Sequence, residues 1–134
     1  MPITAQRFNL ALARDPYKGS THGCFRFAWA AVKGAGGKDV NAAKADTSYS
    51  NEPLSALRSA AKNGKLKIGD VIYANRKPGA DPSSTNLAYG PHWFVYKGNG
   101  KFEDQYGVKT LAEMEDFIPN RKIDTIYHPF ELRP

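Results

Sequence analysis

The chain carries one thiol, and the residues able to activate it lie far along the sequence. Cys24 is the single cysteine among 134 residues. It follows Gly23 and opens the apolar run Phe25-Arg26-Phe27-Ala28-Trp29-Ala30-Ala31-Val32. A thiol at a helix start feels the positive end of the macrodipole, and an adjacent imidazolium lowers its pKa further. His92 and Asp104 follow in chain order. A cysteine, a histidine and an acid can act as nucleophile, general base and orienter of that base.

His92 and Asp104 belong to one stretch, Gly90 to Gly107, which reads as a β-hairpin. A β-branched and aromatic arm, Trp93-Phe94-Val95-Tyr96, precedes Gly98-Asn99-Gly100, and a second arm follows. A three-residue turn over Gly98, Asn99 and Gly100 sets Lys97 opposite Lys101, Tyr96 opposite Phe102 and Phe94 opposite Asp104. His92 then shares a face with Asp104, one diagonal step of about 7–8 Å away at the backbone. A two-residue Gly98-Asn99 turn instead puts Gln105 opposite His92, and an Asn99-Gly100 turn takes Asp104 off the His92 face. One residue of slip decides which side chain orients the imidazole. Asp104 is the expected orienter, with Gln105 as the alternative.

The remaining elements must bring these arms to the thiol. Thr4 to Arg14 has helical spacing and stops at Asp15-Pro16. A polar loop, residues 17–23, delivers Cys24. The helix from about Cys24 to Lys33 is apolar almost all round, so a central position is expected, and Gly34-Ala35-Gly36-Gly37 ends it. Residues 38–53 show no clear pattern. Leu54 to Asn63 reads as a short helix, and Lys65 to Ala74 as a turn and a buried strand. A long loop from Arg76 to Tyr89 runs up to the histidine strand, where it could wall a cleft. Thr110-Leu111-Ala112-Glu113 fits a capping box, and Pro119 closes the helix it starts. Ile123 to Tyr127 reads as a last strand, with His128 at the surface. Helices followed by three or four strands predict an α+β fold, an antiparallel sheet packed on the Cys-bearing helix.

Composition bounds the rest. With 41% hydrophobic and 24% charged residues, the chain suits one globular domain over 1–134. No apolar run nears the ~18 residues of a membrane span, and residues 1–14 lack the pattern of a cleaved signal peptide. Synthesis in the cytoplasm is expected, followed by export without such a signal if the protein is secreted. One Cys and three scattered His predict no metal site and no cofactor. A net charge of +6 and a pI near 9.5 point to solubility or a polyanionic partner. Dispersed lysines and the lack of a nucleic-acid motif argue against nucleic acid.

Gly23-Cys24-Phe25 at a helix start, Lys67-Ile68-Gly69-Asp70-Val71-Ile72 on a strand, and the His92 to Gly100 hairpin together resemble papain-like amidases of the NlpC and CHAP kind. The resemblance covers about residues 17–107. It implies a papain-like fold and a Cys24–His92–Asp104 triad, the third member falling twelve positions after the histidine. Cys24 N–H is a candidate oxyanion donor, with Tyr17 or His22 as the second; Tyr17 sits where the family often places a tyrosine. The family usually has Asp before the cysteine and Ser-Gly after it, whereas Gly23 and Phe25-Arg26 stand here. Asp104-Gln105-Tyr106-Gly107 also resembles an ending found in papain-fold domains of secreted bacterial toxins. The implied activities are hydrolysis of the peptide part of peptidoglycan, as a delivered effector countered by an immunity protein, or proteolysis or glutamine deamidation of a host protein. A binding module with Cys24 as a core residue is the non-enzymatic alternative.

Overall fold

The computed structural model describes residues 3–21, 23–76, 91–118 and 121–131. Helices α1 (Ala5–Ala13) and α2 (Cys24–Gly34) come first, followed by β1 (Lys44–Asp46) and α3 (Ala56–Lys62). Then come β2 (Val71–Arg76), β3 (His92–Gly98), β4 (Lys101–Asp104), β5 (Gly107–Thr110), α4 (Leu111–Phe117) and β6 (Arg121–His128). The strands form one antiparallel sheet in the order β1-β6-β2-β3-β4-β5. The architecture is α+β, with six strands rather than three or four. β1 and β5 are three and four residues long, too short to show an alternating pattern in sequence.

Period-two alternation along β2 and β3 divides the core into two layers. Val71 and Val95 face α1 and α2, where Phe8, Leu12, Phe27, Ala28 and Val32 are buried. Ile72, Phe94 and Tyr96 face the opposite way, against Leu57 of α3 and Leu111 and Met114 of α4. Burying a side chain such as Phe27 or Phe94, both 0% exposed, contributes about 1.5–3 kcal/mol relative to exposure. On β6, Ile123 and Ile126 enter the same layer although three residues apart. A register shift against Tyr73/Ala74 leaves Asp124 as the extra residue and restores the face.

The central hairpin closes differently from the three-residue turn. Gly98 pairs with Lys101, so the turn is Asn99-Gly100. Both residues have positive φ, 53° and 72°, as this tight hairpin turn requires. Such a turn alone would move Asp104 off the histidine face. A bulge at Lys97 absorbs one residue, and Tyr96 still lies opposite Phe102 and Val95 opposite Glu103. Lys97 therefore does not face Lys101; its ammonium pairs with Glu103 Oε1 at 2.8 Å.

His128, expected at the surface, is buried and only 5% exposed. As the last residue of β6 it lies opposite Lys44 of β1, and its Nδ1 is 2.8 Å from Asp70 Oδ2. Asp70 ends the turn before β2, where its other contact is the Lys67 amide, donating at 2.8 Å. Gly69 in that turn has φ of 92°, and a Cβ there would meet the Phe130 ring at 2.6 Å. The Gly-Asp pair of the sequence motif thus serves to seat β2 against β6.

Candidate active site

Cys24 is the first residue of α2, and Gly23 is its N-cap. Gly23 carries no side chain because there is no room for one: a Cβ would lie 2.7 Å from Ser20 Cβ. The first helical bond runs from the Phe27 amide to Gly23 O at 2.8 Å. The amides of Cys24, Phe25 and Arg26 precede it and have no acceptor within the helix. Cys24 is half-buried, not sealed in the core. Burial pushes the Cys24 thiol up, but the His92 hydrogen bond, the Trp93 amide, the charge of His92 and the Phe25 amide carry it below its ordinary value.

His92 stands at the start of β3, 6% exposed, with its Nε2 3.0 Å from Asp104 Oδ2. The ring stacks on Phe94 at a centroid distance of 5.9 Å and meets the edge of Phe117 at 5.7 Å. Burial alone would lower its pKa; the Asp104 and Cys24 hydrogen bonds, with the charges of both, hold it above the usual histidine value. Two apolar rings fix the plane of the imidazole while the two polar neighbours favour its cation.

Asp104 closes β4 and is fully buried. Oδ2 faces the ring, and Oδ1 accepts from the Tyr106 amide at 2.9 Å and from Lys109 Nζ at 2.9 Å. Desolvation raises the carboxyl, yet bonds from His92 and Lys109 and their charges hold it below the ordinary carboxylate range. The tight connection Gln105-Tyr106 sets Asp104 opposite Gly107, so β5 folds back alongside β4 and returns Lys109 to the acid.

The His92 imidazole thus has Asp104 bonded to it and Cys24 near enough to shift its pKa. Gln105 does not take the place of Asp104: its backbone carbonyl accepts from the Gly19 amide at 2.6 Å, and its buried Oε1 has no hydrogen-bond partner among the described residues. The correction follows from the Lys97 bulge, which keeps Asp104 on the histidine face. The Tyr17 ring packs on the α1/α2 layer, and among the described residues its hydroxyl bonds neither Cys24 nor His92. His22 and the loop over 77–89 lie outside the described residues. Sequence reading missed the Trp93 amide and Lys109. The first adjoins His92 and was in plain reach; the second depends on β5, which left no readable pattern. Among the described residues no group of three or more His, Cys, Asp or Glu is set to hold a metal ion. Nor is any helix long and apolar enough to cross a membrane.

Comparison with protein-family models, curated proteins and solved structures finds no match for this chain.

Proposed function

We propose that this chain is a papain-like thiol hydrolase that opens amide bonds through Cys24, His92 and Asp104. The observation that carries the reading is the buried His92 imidazole held 3.0 Å from the Asp104 carboxylate, with the half-buried Cys24 close enough for the two to shift each other's pKa. The Cys24 thiol is held below its ordinary value and the His92 imidazole above its own, the directions that a thiolate–imidazolium pair requires. The thiolate attacks the amide carbonyl. As the C–N bond breaks, His92 gives its proton to the leaving amine and a thioester remains. His92 then takes a proton from water, whose oxygen attacks the thioester, and the carboxylic acid departs. The Cys24 amide at the α2 start is a donor for the developing oxyanion.

The substrate we favour is the peptide part of bacterial peptidoglycan. The net charge of +6 suits that polyanionic wall, and the sequence resemblance points there. The corresponding setting is an effector delivered without a cleaved signal, neutralised by an immunity protein. A second reading has one observation behind it. Phe25, 41% exposed, lies edge-on to Trp93 at 5.0 Å, and Trp93 stacks on Tyr73 at 4.3 Å. This aromatic strip beside the thiol suits an apolar side chain of a protein substrate, cleaved by proteolysis or deamidated at glutamine. Mass spectrometry of purified peptidoglycan incubated with wild type and Cys24→Ala tests the first reading. New muropeptides with wild type alone are expected. An unchanged digest, with a cleaved or deamidated protein instead, moves the assignment to the second. Full hydrolysis by Cys24→Ala ends both.

A further inference from the structure

The geometry points to Lys109 as a positioning residue that divides the charge of Asp104 between itself and His92. The inference rests on the catalytic reading of His92. Lys109 lies on β5, two residues beyond Gly107, the partner of Asp104. Its Nζ donates to Asp104 Oδ1 at 2.9 Å, and its side chain is only 15% exposed. The same ammonium lies 4.6 Å from the centroid of the Phe117 ring, whose edge contacts His92. Lys109, Phe117, His92 and Asp104 therefore close a loop of contacts in which the lysine touches neither the thiol nor the reacting carbonyl.

This arrangement fixes the carboxylate in two ways. The Tyr106 amide and the Lys109 ammonium hold Oδ1, so only Oδ2 is presented to the ring. A cation on the far oxygen also draws off part of the negative charge that would otherwise stabilise the imidazolium. An unopposed buried aspartate would hold His92 protonated too firmly for proton delivery to the leaving amine; the lysine moderates it. The charged groups facing this pair are Cys24 from α2 and Lys109 from β5. Glu113 of α4 senses Lys109 and Lys101 from the exposed side.

The test is a proton titration of His92, read by NMR on histidine-labelled protein with the signal assigned through His92→Gln. Wild type is compared with Lys109→Met, Lys109→Gln and Lys109→Arg, each checked for folding by thermal denaturation. Neutralising the lysine is expected to raise the His92 midpoint by roughly half a pH unit or more, and arginine is expected to restore it. A midpoint that is unchanged or lowered in folded Lys109→Met and Lys109→Gln overturns the proposal. The readout needs no substrate, so its failure is separable from failure of the hydrolase reading, which Cys24→Ala reports.

Discussion

Two buried histidines in this protein each bond an aspartate, at 3.0 Å for His92–Asp104 and 2.8 Å for His128–Asp70. They differ in the third group that acts on the ring. For His92 it is a half-buried thiol at a helix start. For His128 it is another acid: Nε2 lies 3.7 Å from Asp46 Oδ2 on the edge strand β1. One pair is left with a thiol beside it, whereas the other is clamped between carboxylates from β1 and the turn before β2. A histidine–aspartate bond is therefore not itself a sign of catalysis. The third group decides whether the imidazole has a proton to move or only strands to hold.

The sharpest way to break the comparison is to remove each histidine. His92→Ala is expected to cut turnover by about 10³-fold or more. It should also slow iodoacetamide labelling of Cys24 at pH 6–7, with the rate recovering as the pH rises toward that of an ordinary thiol. His128→Ala should leave labelling of the folded protein unchanged but cost about 3–5 kcal/mol of stability, since Asp70 is left buried without its charged partner and with only the Lys67 amide bonded to its side chain. Urea denaturation measures it. The folded pKa of His128 is raised: burial opposes this, but the Asp70 bond and nearby carboxylates outweigh it. Its contribution is thus fully present below about pH 6.5, the unfolded value, and is lost as pH rises through the folded value. The stability gap between wild type and His128→Ala should narrow toward alkaline pH.

A smaller effect concerns an acid outside both pairs. Burial pushes Asp15 up to about 6, the Tyr17 amide opposing, and its Oδ2 has no hydrogen-bond partner among the described residues. A carboxyl that binds its proton more tightly when folded favours the fold at low pH and loses that contribution as pH rises through about 6. Asp15→Asn keeps an oxygen for the Tyr17 amide, which donates to Oδ1 at 2.9 Å. The variant should be more stable than wild type at pH 8, and the gain should shrink as pH falls below about 6. Thermal melts across pH 4–8 check it, and an equal gain at every pH would refute it.

The legible parts of the sequence were those with local signals. The α2 helix, the strand leading from Gly69-Asp70, and the capping box of α4 were readable because caps, glycines and apolar periodicity act over a few residues. Thr110 and Glu113 exchange both bonds, at 3.2 and 2.8 Å. The pairing of His92 with Asp104 was readable in outcome but not in cause, since the turn is Asn99-Gly100 and the bulge at Lys97 compensates for it. β1, β5 and the burial of His128 were not readable. Lys44 to Asp46 and Gly107 to Thr110 become strands because neighbours offer them ladder bonds, and His128 is buried because Asp70 and Asp46 converge on it from distant parts of the chain.

The extra residue at Lys97 makes the distance between imidazole and carboxylate depend on a count rather than on an identity. Taking Lys97 into the ladder, with the turn still at Asn99-Gly100, would leave the same aromatic and acidic letters in the same order but set Tyr96, in place of Val95, opposite Glu103. Asp104 would then point into the opposite layer, away from the His92 ring. The contact between His92 and Asp104, on which the proposed activity depends, therefore hangs on one residue left out of the ladder.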